Sequence, residues 1–194
     1  MAQFKAFAAD VEVNGETVLS IVEGMGNSKE MALSILAKHG IANPQPGQWY
    51  AQQSWLDAFK TIAESIGENT LFAIGRKIPE KAQFPPAIDN IEKALAAIDI
   101  AYHMNHRIRG VTLFDPSNGS MKEGIGHYTY EKIDGKSARM LCKNPYPCDF
   151  DRGIIEAMGR RFKPKDSLFL TVAHDDSQPC RKKGSDTCTY HVSW

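Results

Sequence analysis

The chain has 194 residues, of which 42% are hydrophobic and 24% are charged. This length and composition are typical of one globular domain with its own core. Lysine plus arginine and aspartate plus glutamate each total 23, so the formal net charge is zero. The neutral balance excludes the basic excess that nucleic-acid binders carry, and it gives no electrostatic reason to bind an anionic membrane surface.

The start of the chain, MAQFKAFAADVEVNGE, has no long apolar run behind a positive segment, so a secretory signal is not predicted. No apolar run approaches the ~18 residues of a spanning helix. We therefore expect a cytoplasmic protein without a membrane span. In that compartment the four cysteines would stay reduced, as buried thiols or metal ligands.

Two short helices are predicted near the N-terminus, from Thr17 to Met25 and from Ser28 to His39. The second begins at a capping serine and ends before Gly40. Residues 41–48, IANPQPGQ, then form a connector rich in proline and glycine.

We interpret the chain as a single ligand-binding domain over residues 1–194. Residues 1–45 would be an N-terminal helical subregion, and residues 49–194 would be the core. The connector is too short to prove a boundary between them.

Three helical segments follow the connector. In residues 49–66, apolar side chains recur at helical spacing, and residues 68–82 are predicted to form a short or irregular helix because they contain Gly75 and Pro79. A longer segment starts at Pro85-Pro86, with its apolar face continuing to Tyr102.

The residue pattern changes after residue 110 from helical spacing to turns and strands. HYTYEKIDGKSARMLC predicts a hairpin around Asp134-Gly135. Residues 146–162 return to a helical pattern, and two final strands are predicted over 167–173 and 187–193. The order predicts an α+β fold: N-terminal helices, then a late antiparallel sheet with one interposed helix.

The cysteines are the most specific feature. Cys180 and Cys188 flank a glycine-containing turn, and Cys148 begins the 146–162 helix. Zinc prefers four thiolate, imidazole or carboxylate ligands. The turn also carries Lys182 and its neighbour Lys183, which would favour thiolates. The alternative is that the thiols are separate and pack as small hydrophobic groups.

A second polar concentration ends the long helix. His103 and His106 are three residues apart and would lie on neighbouring parts of one helical face. They could bind a metal or haem, or hydrogen-bond a ligand in an apolar pocket; alternatively, both cap the helix C-terminus. The residues that we predict to bind a ligand are His103, His106, Tyr102, Ile98, Leu95 and Phe59.

No nucleophile elbow, phosphate loop or dinucleotide fingerprint is present. Asp149 and Asp151 flank a helix N-terminus, where the helix dipole explains them. The sequence therefore favours a binding protein over an enzyme and predicts no catalytic residues.

NPYPCDFDRGIIEAMGRRF, followed by strands and by PCRKKGSDTCTYHVSW, resembles the C-terminal part of the 4-vinyl reductase family. The preceding helices are similar in order to those of the haem-nitric-oxide-binding domain and of vesicle-tethering subunits of the same fold. The resemblance implies a buried pocket between helices and sheet, used by bacterial sensors to hold phenols, other hydrophobic ligands or tetrapyrrole-like molecules.

In aromatic-sensing members of that family a structural zinc is held by cysteines and an acidic residue. Carried over, the resemblance implies zinc on Cys148, Cys180 and Cys188. It leaves the fourth ligand open among His174, Asp175 and Asp176, and we select His174.

The resemblance argues against haem bound in the manner of the haem branch. The proximal histidine of that branch aligns near Leu95, and Met140-Leu-Cys-Lys-Asn144 stands where its haem-propionate signature would lie.

The leading hypothesis is thus a sensor or carrier domain that binds a small hydrophobic or aromatic ligand and is braced by zinc. Two alternatives remain: a haem- or metal-dependent sensor or enzyme that uses His103 and His106, and an interaction module. We also expect a homodimer.

Overall fold

The computed structural model describes residues 3–194, apart from the side chain of Lys81. Residues 1 and 2, which belong to the predicted N-terminal subregion, lie outside the described residues. The helices are α1 (Gly15–Val18), α2 (Ser20–Gly24), α3 (Lys29–Lys38), α4 (Gln52–Ser65), α5 (Glu68–Lys81), α6 (Ile91–Met104) and α7 (Cys148–Phe162). The strands are β1 (Val11–Asn14), β2 (Trp49–Ala51), β3 (His106–Ile108), β4 (Val111–Thr112), β5 (Phe114–Asp115), β6 (Ser120–Met121), β7 (His127–Lys132), β8 (Ser137–Lys143), β9 (Thr171–His174) and β10 (Cys188–Ser193).

The predicted α+β class is confirmed, with helices before a late antiparallel sheet. That sheet has the order β7-β8-β10-β9. The hairpin around Asp134-Gly135 joins β7 to β8 as predicted, and Cys188 on β10 lies opposite Cys142 on β8. The last part of the sheet differs from the sequence prediction, because β9 begins only at Thr171 and Leu168 is almost fully exposed.

A second four-stranded sheet, of order β2-β1-β3-β4, was not predicted. Its strands have two to four residues each, too few for a pattern with a period of two to stand out. Glu12 on β1 lies opposite both Ala51 on β2 and Arg107 on β3. The N-terminal segment is thus hydrogen-bonded to strands that come much later in the chain.

Helix α5 is longer and more regular than the sequence predicts. It runs for 14 residues through Gly75, and Pro79 falls in its last turn. A Cβ added to Gly75 would lie 2.1 Å from the Phe150 carbonyl oxygen, and one added to Gly153 would lie 2.3 Å from that of Phe72. The two glycines therefore allow the backbones of α5 and α7 to touch.

The long helix is shorter than predicted at both ends. It begins at Ile91 because the Asn90 side chain caps it by accepting from the Lys93 backbone N–H at 3.0 Å. It ends at Met104, and His106 already belongs to β3. The prediction that His103 and His106 share one helical face is therefore wrong, since the chain changes direction between them.

No helix within residues 3–194 combines the length and the apolar character that crossing a bilayer requires.

Candidate functional site

A cavity of about 470 Å³ lies between the α1–α2 segment and helices α4 to α7. Its size falls within the range of small-molecule and cofactor pockets. The walls are largely aromatic and aliphatic, with Trp55, Ile98, Tyr102, Tyr146, Phe150, Ile154 and Met158 among the lining residues. His106 is part of the same lining, so the cavity contains an imidazole within an apolar surface.

His106 is held in one tautomer. Its side chain is buried, and its Nδ1 lies 2.6 Å from the Tyr102 carbonyl oxygen. Burial lowers the pKa of His106 to about 4, although that carbonyl opposes the shift. At neutral pH the ring is therefore uncharged, with its proton on Nδ1, and Nε2 keeps a lone pair. Metal-binding histidines have this arrangement, in which a backbone carbonyl or carboxylate fixes the non-ligating nitrogen.

The lone pair of His106 Nε2 accepts from the hydroxyl of Tyr146, at 2.5 Å. The same hydroxyl accepts from Gln52 Nε2 at 2.9 Å, and the Tyr146 backbone N–H donates to Asn144 Oδ1. Sequence reasoning missed Tyr146, because it was assigned to the start of the 146–162 helix, whereas it lies between two prolines just before that helix begins at Cys148.

Two buried polar atoms on lining residues, Trp55 Nε1 and Ser20 Oγ, have no hydrogen-bond partner among the described residues. A buried polar group without a partner costs free energy, so such groups call for an explanation such as a ligand or an ordered water. Both atoms indicate that the cavity accommodates a molecule with at least one acceptor.

The predicted ligand-binding residues separate into two groups. Ile98, Tyr102 and His106 line the cavity. Phe59 and Leu95 are fully buried but are not part of the described lining. Phe59 instead packs against lining residues, with its ring centroid 4.7 Å from that of Trp55 and 4.8 Å from that of Phe150.

His103 also lies outside the cavity lining. Its Nδ1 is 2.8 Å from the Asp99 backbone oxygen, and its ring faces that of His127, with centroids 4.9 Å apart. The two histidines that the sequence grouped together therefore have different surroundings, because the helix ends between them.

The structure brings together three of the four cysteines. Cys148 Sγ is 3.8 Å from Cys180 Sγ and 3.1 Å from Cys188 Sγ, and the last two sulfurs are 3.8 Å apart. Four metal–sulfur bonds of ~2.3 Å in a tetrahedron hold sulfurs at similar separations. Cys142 is buried outside this group.

His174 completes the cluster. One ligand atom each from His174, Cys148, Cys180 and Cys188 all lie within 4.8 Å of one another. The Nδ1 of His174 is 2.8 Å from Asp176, while its buried Nε2 has no partner among the described residues. A carboxylate that orients a histidine from behind is typical of zinc sites.

The other two candidates for a fourth ligand have different positions. Asp176 contacts the far side of the imidazole, and Asp175 pairs with His191 at 2.9 Å and caps Ser177. Hydrogen bonds from Ser177 and then His191 lower the pKa of Asp175 to about 2.

The charge that favours a thiolate comes from Arg181. Its backbone N–H and Nε both donate to Cys188 Sγ at 3.4 Å. The hydrogen bond from Cys148 and then the Arg181 guanidinium lower the pKa of Cys188, against the effect of burial. The hydrogen bond to Cys188 and burial raise the pKa of Cys148. Lys182, which the sequence suggested for this role, instead pairs with Asp149 and Glu68.

Arg181 also connects the cysteines to the cavity. Its guanidinium is buried and donates to Asn144 and to Asp151. Asp151 accepts in turn from the hydroxyl of Tyr128, at 2.5 Å, and Tyr128 lines the cavity. Burial raises the pKa of Asp151, while the Arg181 charge and the Tyr128 hydrogen bond oppose that rise. The two sites therefore share one buried polar network.

No known protein family and no curated protein matches the sequence. The fold, in contrast, is similar to solved H-NOX structures. An H-NOX protein from S. oneidensis in the Fe(II) ligation state is 12% identical, with a TM-score of 0.58 over 92% of this chain and 94% of that one. An H-NOX structure that probes the function of heme distortion is 13% identical, with a TM-score of 0.60 over 93% of this chain and 94% of that one. An oxygen-binding H-NOX domain related to soluble guanylate cyclases, in its oxygen complex, is 14% identical, with a TM-score of 0.59 over 92% and 91%.

These comparisons confirm the H-NOX-like fold, whereas the assignment to the 4-vinyl reductase family stays a prediction. They contradict the expectation that argued against haem, since the similar structures are haem-binding domains. That expectation depended on Leu95 near the proximal position and on Met140-Leu-Cys-Lys-Asn144 in place of the haem-propionate signature. Both are weak criteria at 12–14% sequence identity. The buried, neutral imidazole of His106 supplies a nitrogen lone pair that the alignment did not identify.

Proposed function

We propose that this protein is a sensor domain whose cavity binds haem, which the imidazole of His106 would hold. The observation that carries the proposal is the imidazole of His106, which is neutral, fixed by the Tyr102 carbonyl and part of the cavity lining. The H-NOX-like fold supports it, since one similar structure probes heme distortion and another is an oxygen complex.

The residues around the cavity fit this group. Apolar walls exclude water from a flat hydrophobic ring system. Asn14, Lys77 and Asn105 are lining residues that would hold its carboxylates in exchange for their present hydrogen bonds to Asn105, Glu80 and Ala101. A bound haem would supply an iron that can bind a small gas molecule. The Tyr102 carbonyl would keep His106 oriented, and the hydroxyl of Tyr146 would leave Nε2 and keep its hydrogen bond from Gln52.

Haem titration of the haem-free protein, followed by its absorption spectrum, tests this proposal. The wild type should bind one haem with the spectrum of a histidine ligand. His106→Ala should bind at least about tenfold more weakly, since even changes in groups that merely orient a metal ligand cost about 10–100-fold. His103→Ala is the matched control and should bind as the wild type does, because His103 is not in the lining. Equal haem binding by His106→Ala and the wild type, both folded by circular dichroism, would refute the role of His106.

We further propose that Cys148, Cys180, Cys188 and His174 bind one structural metal ion. Three clustered sulfurs, with two of their three separations at the 3.8 Å of a tetrahedral site, and an imidazole nitrogen that lacks a partner among the described residues support it. The donor set of three thiolates and one imidazole suits zinc. The ion would tie the start of α7 to β9, to β10 and to the loop between them.

Elemental analysis of the purified protein tests the metal proposal. We expect one zinc per chain in the wild type and a loss of zinc in Cys180→Ser, whereas Cys142→Ser should keep it because Cys142 is not in the cluster. Strong chelation should lower the Tm of the wild type. A metal content below one-tenth per chain, unchanged after refolding with zinc, would contradict this site.

A second candidate function is the binding of a non-haem aromatic ligand in the same cavity. The observation that favours it is the aromatic lining, in which the ring of Trp55 is 5.1 Å from that of Tyr146 and 5.7 Å from that of Phe150. Stabilisation in a thermal-shift screen by phenols, without any haem binding, would select this reading. The predicted homodimer stays a prediction.

A further inference from the structure

A third group of metal-ligating side chains lies outside both sites. Asp99 and His103 are one turn apart on α6, and His127 is the first residue of β7. One ligand atom from each lies within 4.8 Å of the others. None of the three belongs to the cavity lining or to the cysteine cluster.

The imidazole of His103 has an unsatisfied nitrogen. The side chain is fully buried, its Nδ1 lies 2.8 Å from the Asp99 backbone oxygen, and its Nε2 has no hydrogen-bond partner among the described residues. As for His106, the carbonyl fixes the proton on Nδ1 and leaves a lone pair on Nε2. A fully buried acceptor without a partner is rare, and a bound cation would satisfy it.

The carboxylate of Asp99 is already oriented as a metal ligand would be. Its Oδ1 accepts from the Tyr128 backbone N–H at 2.8 Å, and its Oδ2 lies 3.0 Å from His127 Nδ1. The side-chain carboxylate also lies 3.6 Å from His103 Nδ1. Asp99 therefore lies against His127 and against the Nδ1 side of His103, and a backbone N–H keeps the carboxylate from rotating.

A second carboxylate holds the outer ring nitrogen of His127. His127 is about one-third exposed, and its Nε2 lies 3.0 Å from Oε2 of Glu123, whose side chain is mostly exposed. Burial lowers the pKa of His127, but the hydrogen bonds to Asp99 and Glu123 raise it overall. The group thus has a closed side at His103 and an open side through which an ion could enter.

We propose that Asp99, His103 and His127 form a binding site for a divalent transition-metal ion, with Glu123 orienting His127 through its other ring nitrogen. Two imidazoles and one carboxylate are a ligand set that suits zinc, cobalt, nickel or iron. Such an ion would join α6 to β7. Since His106 follows the end of α6 by two residues, ion binding there would also stiffen the segment that carries the cavity histidine. The site does not depend on the function proposed for the cavity.

Titration of the full-length, haem-free protein with Co²⁺, followed by calorimetry and visible absorption, tests this proposal. Cobalt at the cysteine cluster gives intense sulfur-to-metal charge-transfer bands, and cobalt bound by nitrogen and oxygen alone does not. We expect the wild type to bind a Co²⁺ without those bands, in addition to any Co²⁺ that shows them. The absorption bands therefore report on the two sites separately, and the absence of metal binding at either site can be detected independently of the other.

His127→Ala and Asp99→Asn should each weaken the site without charge-transfer bands at least about tenfold and leave the sulfur bands unchanged. His127→Gln is included because it keeps the strand's side-chain volume, and His39→Ala is the control histidine at a remote position. If the wild type binds no Co²⁺ beyond the sulfur-ligated ion, or if Asp99→Asn and His127→Gln both bind as the wild type does, the proposal is overturned.

Discussion

His106 and Tyr146 form the contact on which the chemistry of the cavity depends. In the haem-free protein the Tyr146 hydroxyl donates to His106 Nε2, the atom that an iron would need. A ligand that binds through Nε2 must therefore break this hydrogen bond. The net value of such a bond is about 0.5–1.5 kcal/mol, so Tyr146 lowers the affinity by a measurable amount.

Tyr146→Phe should therefore strengthen haem binding by about 3–10-fold, the equivalent of one hydrogen bond that no longer has to be broken. The haem-free variant should also be less stable, because Gln52 Nε2 and His106 Nε2 both lose a partner. Haem titration and urea unfolding measure the two effects. Tyr102→Phe is the control, since its hydroxyl donates to the Ile125 carbonyl and does not contact His106 Nε2. Weaker haem binding by Tyr146→Phe would mean that Tyr146 itself holds the ligand.

At the scale of elements, the packing of α5 on α7 positions one wall of the cavity. Ile78 comes from α5, and Phe150, Ile154 and Met158 come from α7. The two backbones approach closely at Gly75 and Gly153, where a Cβ has no room. These glycines are therefore selected by tertiary contact, although glycine lowers the intrinsic stability of a helix.

Gly153→Ala should destabilise the protein by about 1–3 kcal/mol, because the added methyl group would overpack against the carbonyl of Phe72. On an exposed helix the same change would stabilise by about 1 kcal/mol, so a destabilising effect would indicate that the two backbones are in close contact. Gly135→Ala is the control, since a Cβ there meets no atom within 4 Å. Urea unfolding measures both variants, and a Gly153→Ala protein more stable than the wild type would contradict the close approach.

At the scale of the whole molecule, burial of a neutral histidine makes stability depend on pH. The pKa of His106 is about 4 in the folded protein, below its ordinary value of 6.5. Between these values the unfolded chain binds a proton that the folded chain does not bind. The contribution of His106 to stability is therefore greatest above pH 6.5 and is lost as the pH falls towards 4.

This loss amounts to about 3 kcal/mol between neutral pH and pH 4. His106→Gln, which cannot be protonated, should show a correspondingly smaller decrease in the free energy of unfolding over that range. Urea unfolding of the haem-free wild type and variant at both pH values measures the difference. Equal pH dependence in the two proteins would contradict the lowered pKa of His106 in the folded protein.

The sequence by itself determined the local elements and the class of the fold. The apolar spacing of α4 and α7, the Asp134-Gly135 hairpin and the four cluster residues Cys148, Cys180, Cys188 and His174 could all be proposed from it. Each depends on neighbours in the chain or on a resemblance that covers residues 142–194. Hydrophobic period and turn chemistry are local signals, which a single sequence records.

Only the tertiary structure decided which side chains meet. It separated His103 from His106, because α6 ends at Met104 and His106 belongs to β3. It brought Tyr146 to His106 from 40 residues away and Arg181 to Asp151 from 30 away. It also assembled a sheet from short strands at residues 11–14, 49–51 and 106–112. Such contacts arise from packing between distant segments, and the order of residues along the chain carries no local pattern that predicts them.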